Sequence, residues 1–241
     1  MKKNTKKAFT LAEVLMVIAI IGAVAVLAVP NLKTGISEDT NIAKLKATYN
    51  QLETAINAVI ADYGSVQAAY ESCGNSNGNG YYDNEILCFN KILTSKLDLK
   101  LDCGLGPNSK CFSPETLKNV DGVKRIDENY AYEGCKYSFI LANGAAICER
   151  SHHIYGIDVD GPKKGPTIFG MDVFQFSLCG DELLFDCMAG YDFLEEYIAQ
   201  RSNDGNFSIS YDETAWAMMF GNMDYIKCAS QLKWHSKTTC D

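Results

Sequence analysis

Phe9 to Val29 reads FTLAEVLMVIAIIGAVAVLAV, 21 almost wholly apolar residues without one basic side chain. A bilayer core is crossed by about 20 such residues in a helix. Lys2, Lys3, Lys6 and Lys7 all precede the run. Cationic flanks stay cytoplasmic, so the segment is expected to insert once, amino end inside, with the remainder exported. The chain contains no second run of this kind. The organisation expected is a basic leader at 1–8, a membrane or bundle helix at 9–29, its continuation at 30–64 and one exported domain at 65–241.

Glu13 is the exception within the run. A carboxylate at bilayer depth costs roughly 2.5–3.5 kcal/mol on insertion scales, and acids placed there usually have a partner and a role. A secretory signal peptide gains nothing from an acid in its apolar core. Pro30 follows the run directly, where it removes one helical hydrogen bond and loosens or kinks the helix.

The stretch KKAFTLAEVLMVIAIIGAVAVLAVP resembles the prepilin-type amino terminus of type IV pilins and type II secretion pseudopilins. The resemblance covers about the first 30 residues. It implies cleavage between Ala8 and Phe9 by a prepilin peptidase and methylation of the new amino terminus at Phe9. Glu13 then takes the place of the family's glutamate, fifth in the mature chain, and Pro30 that of its proline. Ala8 stands where the family usually has glycine. The resemblance also implies a single-pass protein of the bacterial cytoplasmic membrane that moves into a periplasmic or extracellular filament. Its implied partners are other pilin-like subunits and an inner-membrane assembly platform. The segment IDVDGPKKGPTIFGMDVFQFSL is similar to a stretch found in many prepilin-type proteins, and names no activity.

The exported part is expected to be disulfide-braced. Ten cysteines without a single C-x-x-C suit an oxidising compartment better than zinc, whose ligands come in tight pairs. Local pairing suggests Cys73–Cys88, Cys103–Cys111, Cys179–Cys187 and Cys228–Cys240. Cys135–Cys148 is left over, and it fits poorly if Asn143-Gly144 makes a two-residue turn, because Cys148 then faces Phe139. A longer turn, a bulge or different partners would be needed.

Past Pro30, Ile42, Leu45, Tyr49, Leu52, Ile56, Val59 and Tyr63 recur at steps of three and four, which makes one apolar stripe on a helix that Gly64 stops. A second amphipathic helix is expected over 83–97, and a helix start at Ser113-Pro114-Glu115. YSFILANGAAICE reads as a hairpin, HIYGIDVDG and DVFQFSL as strands, and 191–200 as a helix. TAWAMMFGNMDYIKC reads as two short strands around Gly221-Asn222. Helix first and strands later predict an α+β fold: a long amino-terminal helix against an antiparallel sheet, the pilin-like arrangement.

No catalytic signature is present. The chain has three histidines and no P-loop, H-E-x-x-H or G-x-S-x-G. Its net charge of −8 argues against nucleic acid as a partner. Asp158, Asp160 and Asp172 could gather around calcium, which takes carboxylate oxygens, although aspartate and glycine are also ordinary turn residues. Tyrosines near loops, Tyr155 among them, suit a binding surface, so an adhesive minor subunit is the alternative to a purely structural one. An enzyme that uses the segment only for export is a third.

Overall fold

The computed structural model describes residues 11–74, 83–114, 117–122, 134–150, 154–163, 167–185 and 212–240. Along the first helix, side chains are described at 14–18 and from 38 onward. The chain divides into two units, Met1–Asp39 and Thr40–Asp241. In the first, the described backbone is entirely helical, and Val14, Leu15, Met16, Val17 and Ile18 are exposed. Among the described residues no helix is long and apolar enough to cross a membrane, but most side chains of Phe9–Val29 lie outside them.

Helix α1 spans Leu11–Tyr63 and so runs on into the second unit. Gly64 ends it: at φ +91° its N–H returns to the Ile60 carbonyl at 2.7 Å. A left-handed residue at that position is most easily glycine. The predicted stripe is buried at Ile42, Leu45, Leu52, Ile56 and Val59, but Tyr63 is 38% exposed and falls off its end. Asn41, Thr48 and Ala55 complete the buried face.

A short helix α2, Val66–Ser72, follows at once. The Ser65 hydroxyl accepts from Ala68 N at 3.0 Å, and the Asp181 carboxylate accepts from Val66 N at 2.7 Å, so two free N–H groups of the first turn are satisfied. Helix α3, Asp83–Thr94, is the predicted second amphipathic helix, ending three residues before the expected Leu97.

Six described strands form one antiparallel meander: β1 (Leu99–Leu105), β2 (Tyr137–Leu141), β3 (Ala146–Glu149), β4 (Ile154–Asp158), β5 (Val173–Cys179) and β6 (Glu182–Leu184). Side chains alternate between faces along a strand, so the register sorts them. Tyr137, Glu149, Tyr155 and Phe176 share one row, and Phe139, Ile147, Ile157 and Phe174 the next. That face packs with Leu45, Leu52, Ile56 and Val59 of α1 in one core. The opposite face contributes Ile140, Ala146, Cys148 and Val173 to a smaller core closed by Cys111, Phe112, Leu117 and Phe169. Both faces are covered, which is why β2 and β3 are buried at every position.

Three expectations need correction. The 213–228 region contains no strand; it forms helices α4 (Glu213–Phe220) and α5 (Tyr225–Cys228). Ala215, Ala217, Met218 and Met219 are strong helix formers, and Gly221 at φ +65° closes α4 through its N–H to the Ala217 carbonyl. Gly221-Asn222 is thus a helix terminus and not a hairpin turn. No helix follows Ser113-Pro114 within 117–122. There Lys118 bridges Ile168, and the Ser113 hydroxyl accepts from Thr167 Oγ1 at 3.2 Å, so pairing to the distant loop replaces the cap. Tyr155 is buried in the main core and is not a surface tyrosine. The helix expected at 191–200 lies outside the described residues.

Candidate functional site

The predicted processing site, Ala8 and Phe9, lies outside the described residues. Glu13 and Pro30 are both within α1, whose helical backbone continues through Pro30. Their side chains are outside the description.

Three of the four expected local pairs are bonded, and so is the pair that was left over. Cys73–Cys88, Cys103–Cys111, Cys135–Cys148 and Cys228–Cys240 are bonded at Cα separations of 5.7, 6.2, 5.6 and 6.0 Å. Cys179 is also disulfide-bonded, and its expected partner Cys187 lies outside the described residues. Two features resolve the difficulty at Cys135. The β2–β3 loop has three residues, Ala142 to Gly144, closed by Leu141 N to the Ala145 carbonyl at 2.9 Å, so Cys148 pairs with Ser138. The backbone then bends at Lys136, whose N–H still reaches the Glu149 carbonyl at 2.7 Å, and Cys135 joins Cys148 in the smaller core.

The three aspartates surround the connection between β4 and β5. Asp158 Oδ1 accepts from Gly161 N at 2.8 Å and Asp160 N at 3.3 Å, while Asp172 Oδ1 accepts from Ile168 N at 2.6 Å. Val159 N donates to the Asp172 carbonyl at 2.9 Å, which joins the two ends. Burial pushes the Asp158 carboxyl well above the usual range; Asp160 and Asp172 add to the rise and the Gly161 N–H opposes it. Burial likewise lifts Asp172 to about 7, with Asp160 adding, against the pull of Ile168 N–H. Asp158 Oδ1 and Asp172 Oδ1 serve backbone donors, whereas Asp160 Oδ1 is buried without a hydrogen-bond partner among the described residues. Among the described residues no three His, Cys, Asp or Glu side chains are grouped to hold a metal ion.

Sequence reasoning missed several buried polar contacts. Glu149 is only 2% exposed; it accepts from Tyr70 Oη at 3.4 Å and from Asn90 Nδ2, which fastens α2 and α3 to the sheet. Asp102 accepts from Tyr137 Oη at 2.7 Å and Lys91 Nζ at 2.7 Å. Burial favours its neutral form, but bonds from Lys91, Tyr137 and Gly104 outweigh that and hold the carboxyl below its usual range. A cavity of about 200 Å³ lies between α1 and the β5–β6 turn, lined by Tyr49, Glu53, Asn57, Asp181 and Glu182. Burial, with Glu53 beside it, pushes the Tyr49 phenol up to about 12. Alternating patterns mark apolar faces and give no signal for such pairs, which only the tertiary fold brings together.

Residues 3–29 match the prokaryotic N-terminal methylation motif, the prepilin-type signature of type IV pilins and pseudopilins. No curated protein and no solved structure matches the chain.

Proposed function

We propose that this chain is a structural, non-enzymatic subunit of a type IV pilus or a type II secretion pseudopilus. The observation that carries the reading is the methylation motif at residues 3–29 with Glu13 placed fifth from Phe9. In this reading a prepilin peptidase removes residues 1–8 and the amino terminus of Phe9 is methylated. The apolar helix holds the protein in the cytoplasmic membrane until an assembly platform moves it into the filament.

Glu13 supplies the specificity of assembly. An unpaired carboxylate among apolar helices is costly, and one matched to a cation far less so. The charged amino terminus of a neighbouring Phe9 is the cation available. Pairing it with Glu13 would set the axial offset between subunits. The exported domain is suited to a filament surface by its intrachain disulfides. A Glu13→Leu chain, expressed beside the parent, tests the idea. It should be processed and reach the membrane but be missing from sheared filaments. Filaments of normal yield from Glu13→Leu would remove the pairing.

A further inference from the structure

Asn143-Gly144 is a hairpin loop and also the dipeptide most prone to spontaneous deamidation. In that reaction the Gly144 nitrogen attacks Asn143 Cγ, the new N–Cγ bond forms, and the Cγ–Nδ2 bond breaks with loss of ammonia. Water then opens the succinimide to aspartate or isoaspartate. Glycine on the carboxyl side favours the reaction because no side chain hinders the approach. Asn143 is exposed, so water reaches it.

Three hydrogen bonds fix the dipeptide in its loop conformation. The Gly144 N–H, which must be given up before the nitrogen can react, donates to the Leu141 carbonyl at 2.9 Å. Asn143 Oδ1 accepts from Ala145 N at 2.9 Å. Asn143 Nδ2, the leaving group, donates to Thr48 Oγ1 at 3.2 Å. Thr48 is fully buried on α1, so this last bond ties the loop to the helix. Gly144 also sits at φ +91°, where a side chain is strained, so glycine suits the loop itself.

We propose that Asn143 is a deamidation site kept closed by the native fold, with Thr48 as the latch. Modification then follows separation of the β2–β3 loop from α1. Its isoaspartate product lengthens the backbone by one methylene inside a three-residue loop, so the closing bonds of the hairpin cannot re-form. None of this depends on the filament reading.

The test is peptide mapping of the whole purified chain after ageing at mildly alkaline pH, folded and in denaturant. Mapping separates Asn143 from the other Asn-Gly pairs at Asn77 and Asn79. Folded protein should convert at Asn143 at least about tenfold more slowly than denatured chain, since several bonds must open together. Thr48→Val preserves shape and removes the oxygen; it should speed conversion in folded protein by roughly two- to tenfold, the worth of one bond. Thr48→Ser should behave as the parent does. Equal rates in folded and denatured chain would overturn the proposal without any variant. So would a folded Thr48→Val chain with the parent's rate.

Discussion

Asp158 and Asp172 hold the β4–β5 connection through their oxygens, yet burial opposes the charge on both. Each has a folded pKa above its unfolded value of 3.8. From about pH 4 up to about 7 for Asp172 and about 8 for Asp158, the folded chain retains protons that the unfolded chain has released, so this contribution to stability falls as pH rises. Asp102 acts in the opposite sense: it is depressed, and its contribution is lost only in acid below 3.8. Thermal melting should therefore show higher stability near pH 5 than near pH 8. Asp172→Asn, which keeps an acceptor for Ile168 N–H, should flatten that slope; an unchanged slope would refute the assignment. Gly170 is a second sensitive position. It lies at φ +82°, and an added Cβ would meet Glu213 Cγ at 2.6 Å and Cβ at 2.7 Å. Gly170→Ala should lower the denaturant midpoint by the equivalent of about 1–3 kcal/mol.

Patterns that repeat within one element were legible before the structure. The stripe of α1, the helix over 83–94 and the strands around Asn143, Tyr155 and Phe174 all follow from spacing alone. The carboxyl-terminal segment did not, because Gly221-Asn222 suits both a hairpin turn and a left-handed helix end. Helix-forming Ala and Met residues decide for the second. Gly221→Ala tests this directly: an added Cβ would meet only Lys46 Nζ at 3.6 Å, an ordinary contact, so the strain of φ +65° should dominate and cost about 1 kcal/mol. A hairpin would instead lose its turn. Ser113 misled for a related reason, since its hydroxyl is engaged by Thr167, 54 positions away. Cys73–Cys88, Cys103–Cys111 and Cys228–Cys240 were legible by spacing; Cys135–Cys148 was not, because the loop length and the bend at Lys136 had to be seen. Replacing Cys228 and Cys240 with serine should destabilise by roughly 2–4 kcal/mol, the worth of closing a loop of this size. Asn222 and Asp224 still hold the tail through bonds to the Thr238 carbonyl at 3.1 Å and from Cys240 N at 2.8 Å, so the fold should survive.

Across the whole molecule, the amino-terminal segment and the carboxyl-terminal domain answer to different constraints. The domain is a sheet covered on both faces and braced by local disulfides. The segment is an apolar run with one acid, and on the proposed reading that acid is matched by a neighbouring subunit. Glu13 was read from the cost of its placement in an apolar run. The most direct check is mass spectrometry of the amino-terminal peptide from chain recovered in its host's membrane and filament fractions. A mature chain that begins at methylated Phe9 is the expected result. A chain cut beyond the apolar run, for example after Ala28, would mean an ordinary export signal and would contradict the filament subunit.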